Sequence, residues 1–221
     1  MELRIKSPSV WGIKSNAVGI INQCMGYSSD EHNELCYSSG VNYIVGRYSE
    51  GKWALPYILS HKRRTIILHD PIDDNKSETI VINHIKKQMM YTIEYIMYNG
   101  RKADINEILD LSCYIGERKY SRRKRLSYYI QKGCKKSKIN YNEFVEISEQ
   151  GADYYERTLD SLWHEEELYY RSLIAISEGK KIICFPWLFD SKILKINRLE
   201  RLNVLAEKYN CVILIPIQNE E

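Results

Sequence analysis

The 221-residue chain has no apolar run that approaches the ~18 residues a bilayer-spanning helix needs, so nothing in it reads as a membrane span. It also lacks an excess of one charge: 32 basic side chains against 29 acidic ones leave a net charge of +3. Whole-molecule electrostatics therefore select no partner, and any basic site has to be local. The six cysteines (Cys24, Cys36, Cys113, Cys134, Cys184 and Cys211) form no C-x-x-C pair. Cys184 and Cys211 fall inside apolar strand-like runs, where a thiol acts as a small hydrophobe. With no secretory leader in the pattern, the expectation is a reduced, cytosolic chain. Internal repeats and low-complexity linkers are absent too, so the length fits one large domain or a core with an insert. The hydrophobic fraction of 44% is enough to build that core.

What is present is a phosphate-loop pattern with one residue out of place, Gly46-Arg47-Tyr48-Ser49-Glu50-Gly51-Lys52-Trp53. The pattern G-x-x-x-x-G-K is normally completed by Ser or Thr, whose hydroxyl ligates Mg²⁺. Trp53 stands there instead, and an indole cannot ligate the metal. The strand-like run Val41 to Val45 precedes the loop and a helix-like run from Ala54 to Leu59 follows it. The groups that cradle phosphate are kept and the one that holds the metal is lost.

Residues 1–22 alternate weakly as strand candidates, Gly26 to Asn33 is polar and turn-like, and Thr65 to Leu68 is a short apolar strand. Ile80 to Tyr98 reads as helical or mixed, and Ile105 to Leu111 as a helix after an Asp104 cap. Asp153 to Ile176 reads as one long helix or two, ended by Gly179. Lys181 to Phe185 and Cys211 to Ile215 are buried strands separated by an amphipathic helix from Leu194 to Tyr209. Continuous apolar strands alternating with helices predict a parallel sheet covered on both faces.

The most basic stretch lies between Glu117 and Lys138, with Arg122, Arg123, Lys124 and Arg125 at its centre and Tyr120, Tyr128 and Tyr129 interleaved. Nucleic-acid contacts use that composition, and so do solvated helix faces. The histidines offer no metal site: His164 has no second ligand four residues on, and His61 and His69 lack a carboxylate at a diagnostic spacing.

The order of these elements, an early phosphate loop, a helical stretch, then helix, strand, helix, strand, resembles the nucleotide-binding domain of an ABC transporter. The resemblance covers nearly the whole chain and is carried by order and spacing more than by letters. It implies a glutamine loop at Gln88, followed by Thr92-Ile93-Glu94-Tyr95-Ile96. It places the family's L-S-G-G-Q segment on Leu162-Trp163-His164-Glu165-Glu166, and the R-x-x-[IL]-A helix on Arg171 to Ile176. It places the Walker B Asp-Glu pair on Pro186-Trp187, and the switch histidine near Gln218. The metal hydroxyl, both Walker B carboxylates, the signature glycines and the switch histidine are thus all replaced. Phosphoryl transfer runs on Mg²⁺ and a positioned water, so the resemblance implies a chain that binds ATP without hydrolysing it and holds no Mg²⁺.

The expectation is an α/β P-loop NTPase-like fold: a mostly parallel sheet with flanking helices and a helical, basic insert. Residues 1–83 would form the P-loop part, 84–160 the insert and 161–221 the rest of the core. The nucleotide contacts would be Gly46, Arg47, Ser49, Glu50, Gly51, Lys52, Trp53, Gln88 and Gln218, with no catalytic or metal-binding residue. The implied partners are a membrane permease, a second ATPase subunit, or both, in a dimer or heterodimer at the inner face of the membrane. A RecA- or helicase-like P-loop protein is the alternative, with Asp190 as a displaced metal carboxylate and segment 118–138 on nucleic acid.

Overall fold

Two short apolar runs, 182–185 and 211–215, have no polar alternation, and the reason is visible in their packing. In the computed structural model they are neighbouring parallel strands, β12 (Ile182–Cys184) and β13 (Val212–Gln218), with both faces covered. The even-numbered Ile182, Cys184, Val212 and Leu214 enter one hydrophobic core. The odd-numbered Ile183, Phe185, Ile213 and Ile215 enter another on the opposite face. Strands buried on both sides read as unbroken apolar segments. The structure describes residues 1–6, 9–14, 17–24, 34–46, 55–56, 59–60, 65–69, 78–84, 87–93, 95–116, 120–121, 123–148, 152–188 and 196–218.

The parallel sheet is completed by β11 (Ser112–Tyr114) and β5 (Gly40–Gly46), in the order β11-β12-β13-β5. All its pairings are parallel. Its first core also takes in an antiparallel sheet of order β10-β9-β1-β4, from β1 (Glu2–Lys6), β4 (Glu34–Ser38), β9 (Tyr95–Tyr98) and β10 (Arg101–Ala103). Leu3, Ile5, Leu35, Tyr37, Ile96 and Tyr98 supply its apolar side. Helix α1 (Ile105–Leu111) closes the same core with Ile105, Ile108 and Leu109. Asp104 caps it as expected, its carboxylate accepting the Glu107 N–H at 2.9 Å.

The second core lies under helices. They are α2 (Leu126–Ser137), α3 (Tyr141–Ser148), the short α4 (Ala152–Tyr155), α5 (His164–Ser177) and α6 (Ile196–Lys208). Helix α5 is central: Leu168, Tyr169, Tyr170, Leu173, Ile174, Ala175 and Ile176 are all buried, because α2, α6 and β12 pack around it. Gly179, at φ +81°, ends it as expected, with Gly179 N–H bonded to Ile176 O and Lys180 N–H to Ala175 O. Helix α6 is stitched to the start of β5 by Asn203, whose side-chain oxygen accepts the Val41 N–H at 2.9 Å.

The helical or mixed reading of 80–98 is corrected. Residues 78–98 hold strands β7 (Glu78–His84), β8 (Lys87–Ile93) and β9, and the first two join a second antiparallel sheet of order β3-β2-β8-β7-β6. Its other members are β2 (Ser9–Lys14), β3 (Ala17–Cys24) and β6 (Thr65–His69). Within the span 84–160, residues 87–103 and 112–114 are therefore largely strands, and the helices packed on the second core begin at Leu126. Of the one helix or two expected over 153–176, two form: a 3-10 turn at Leu159–Ser161 separates α4 from α5.

Candidate functional site

Because β5, β13, β12 and β11 are parallel neighbours, their carboxyl ends share one edge of the sheet. That edge is where ligands bind in open parallel α/β sheets. The β5–β13 register pairs Gly46 with Gln218, Val45 with Ile217 and Ile44 with Pro216. Gly46 is the first glycine of the phosphate-loop pattern, so the structure brings it beside Gln218, which lies 172 residues away in sequence. The chain leaving β12 stays on the same edge: Phe185 N–H donates to Leu214 O (2.9 Å) and Leu188 N–H to Pro216 O (3.0 Å). Pro186 and Trp187 lie between those two anchors. The end of β11 joins through Ile115 N–H, which donates to Cys184 O at 3.0 Å.

The chemistry of the edge follows from its residues. The segment after β12 is Phe185-Pro186-Trp187-Leu188, with Phe185 and Leu188 buried, and it carries no side-chain oxygen. Among the described residues no cluster of three or more His, Cys, Asp or Glu side chains forms a metal site. Arg47, Ser49, Glu50, Gly51, Lys52, Trp53 and Asp190 lie outside the described residues. Leu55 and Leu59, which follow the loop, are fully buried in the first core, and Leu59 N–H bonds to Leu55 O in a helical turn. Gln88 is not in a loop. It lies within β8 of the five-stranded antiparallel sheet, opposite Ile13 and Asn83, and the structure does not join it to the Gly46 edge by pairing.

The segment aligned with the family signature opens a helix. Trp163 is the N-cap of α5 and is 79% exposed, while Glu166 is buried. The Glu166 carboxylate accepts the Trp163 N–H at 3.3 Å, Arg198 of α6 at 2.9 Å, and lies 3.4 Å from Arg157. Burial alone would raise its pKa, but the Trp163 N–H and the two guanidinium groups outweigh it and hold the carboxyl below its ordinary value. Arg198 also lies over the Tyr169 ring at 5.8 Å. Helix α5 and helix α6 are thereby clamped at one end.

Sequence reasoning missed a second polar anchor, Arg171. It is buried, its guanidinium donates to Ile115 O and to Glu167, each at 2.7 Å, and it fixes α5 to the end of β11. The signal was there: Glu167 and Arg171 stand four residues apart, just ahead of the apolar run Leu173 to Ile176.

The basic segment resolves into distinct roles. Arg122 lies outside the described residues. Arg123 is exposed, and Arg125 is exposed but ion-paired with Glu156. Lys124 sits over the Tyr128 ring, 4.2 Å from its centroid. Lys124, and then Lys132, hold the Tyr128 hydroxyl below its ordinary pKa.

No family model matches the chain, and no curated protein matches it. Solved structures do. A protein described as an ABC transporter ATP-binding protein from Pyrococcus furiosus superposes with a TM-score of 0.53 at 16% identity, over 100% of this chain and 93% of its own. An ATP-binding cassette solved as a dimer in a post-hydrolysis state with ADP and phosphate gives 0.52 at 10% identity, over 99% and 88%. A protein described as a cobalt transport ATP-binding protein gives 0.51 at 12% identity, over 97% and 69%. The architecture is a P-loop α/β fold, and it is shared with ABC transporter ATP-binding domains.

Proposed function

We propose that this chain is an ATP-binding-subunit-like component of an ABC-type transport or export system that binds nucleotide and does not turn it over. The observation that carries the reading is the parallel register that sets Gly46, Gln218 and Pro186-Trp187 along one sheet edge. A strand ending in Gly46 fits a phosphate cradle, in which the backbone N–H groups of residues 47–52 and the Lys52 ammonium would meet the phosphates. Mg²⁺ does not fit. Trp53 replaces the hydroxyl ligand, and the chain leaving β12 offers proline, indole and buried apolar groups where oxygen donors would be needed. When bound, ATP would supply phosphate charge that ties the loop to the sheet edge; the loop would hold it, and residues 185–188 offer no base for an attacking water.

Two of the neighbours are described as ATP-binding proteins of transporters, and a third is an ATP-binding cassette dimer with ADP and phosphate. They support pairing with an ATPase-competent subunit, a membrane permease, or both, at the inner face of a membrane. No helix among the described residues is long and apolar enough to cross a bilayer, which fits a subunit that docks on a membrane partner. Residues 1–83, 84–160 and 161–221 would then be the P-loop part, the insert and the closing part of the core, with the insert's helices on the second core starting at Leu126. The direct test is Mg²⁺-dependent phosphate release by the purified chain. No release above background is expected. Reproducible turnover abolished by Lys52→Ala would refute the reading.

A further inference from the structure

Helix α2 carries a surface that nucleotide binding at the sheet edge does not use. Its sequence contains no acidic residue, and its apolar side, Leu126, Ile130, Gly133 and Cys134, is buried against the second core. The opposite side exposes Tyr128, Gln131, Lys132, Lys135 and Lys136, and Lys124 extends the same line before the first turn. Among the described residues Lys132, Lys135 and Lys136 have no carboxylate partner, whereas Arg125 is held by Glu156. Glu156, which follows α4, is thus already engaged by Arg125, with Ser127 as its second contact. Tyr128, Lys132 and Lys136 recur every four residues of α2, which spaces them ~6 Å apart along the helix axis. Tyr128 is 43% exposed in the middle of that row.

We propose that this face of α2 binds single-stranded nucleic acid, with the lysines on successive phosphates and the Tyr128 ring as a stacking surface for a base. A row of cations with no carboxylate partner among the described residues calls for a polyanion. An exposed aromatic ring within the row calls for one that has accessible π-faces. A duplex hides its base faces and would leave the ring idle. Insertion into a bilayer needs a free apolar helix face, and that of α2 is committed to the domain core. The contact keeps Lys124 of the Arg122–Arg125 cluster and runs from there onto the helix that follows.

The test is fluorescence anisotropy of the full chain with a labelled oligothymidine of about 20 nucleotides, long enough for a site of this class. With four lysines on phosphates, raising salt from 50 to 200 mM should weaken binding about 50-fold. The triple variant Lys132→Gln, Lys135→Gln, Lys136→Gln should bind more weakly and cut that salt effect to about threefold. The matching Lys→Arg triple should bind like the parent, which separates charge from folding. Tyr128→Ala should weaken binding about tenfold without changing the salt slope. Three results would each overturn the proposal: no binding at 50 mM salt, binding unchanged in the glutamine triple, or a duplex of the same length bound equally well. Competition by phosphatidylserine vesicles, together with an unaffected Tyr128→Ala, would assign the face to anionic headgroups and overturn it also.

Discussion

Gly133→Ala is a small change whose consequence can be worked out atom by atom. Gly133 sits on the buried side of α2, where that helix crosses the end of α5. A methyl group there would overlap the Ser177 hydroxyl and lie 2.9 Å from the Ser177 carbonyl carbon and 3.0 Å from Glu178 N. Two of those atoms are backbone, and the Ser177 hydroxyl already donates to Ile174 O at 2.8 Å. Ser137 Oγ donates to Ser177 O across the same crossing, so separating the helices also strains that bond. Alanine gains about 1 kcal/mol over glycine in helix propensity. Overpacking costs about 1–3 kcal/mol, and contact with backbone places this site toward the upper part of that range. The net expectation is a loss of about 1–2 kcal/mol, or a fall in Tm of about 2–8 °C for a chain of this size. Thermal unfolding followed by circular dichroism measures it, with Gln131→Ala on the exposed side as a control expected within about 0.5 kcal/mol of the parent. A Gly133→Ala protein as stable as the parent, or more so, would refute the close crossing.

Two other polar anchors give separate predictions. Glu166 is held below its ordinary pKa, so its contribution to stability is present above the unfolded value and is lost as pH falls through the lower folded one. Glu166→Gln, which leaves Arg157 and Arg198 without their carboxylate, should cost about 3 kcal/mol near neutral pH; urea titrations should show the gap from the parent narrowing in acid, and a constant gap would contradict the assignment. Arg171→Met strands the buried Glu167 carboxylate and should cost about 3–5 kcal/mol. Adding Glu167→Leu should recover part of that loss, and additive losses would contradict a direct pair.

The parallel sheet was legible in the sequence because Ile182 to Phe185 and Cys211 to Ile215 are apolar without alternation, which only two-sided burial explains. The Asp104 cap and the Gly179 stop were legible because they are local. The strands of 78–98 were misread although Thr79-Ile80-Val81-Ile82 is a β-branched run. Their pairing is non-local: β9 joins β1 some ninety residues away, with Leu3 opposite Tyr98. The candidate site was legible as letters at Gly46 and Gln218, but their adjacency is a matter of register, which no local pattern encodes. Gln88 was matched by distance along the chain and by the Thr92 to Ile96 run after it, and neither distinguishes a loop from the strand it occupies. On α2 the composition was plain, but only the fold tells Arg125, tied to Glu156, from Lys132, Lys135 and Lys136, which have no carboxylate partner among the described residues.

The central claim, a live phosphate cradle without a metal site, is tested most directly by calorimetric titration of ATP with and without Mg²⁺, on the parent and on Lys52→Ala. The account predicts binding of the same strength with and without the metal, and its loss in Lys52→Ala. Binding that requires Mg²⁺, or binding that survives Lys52→Ala, would contradict it.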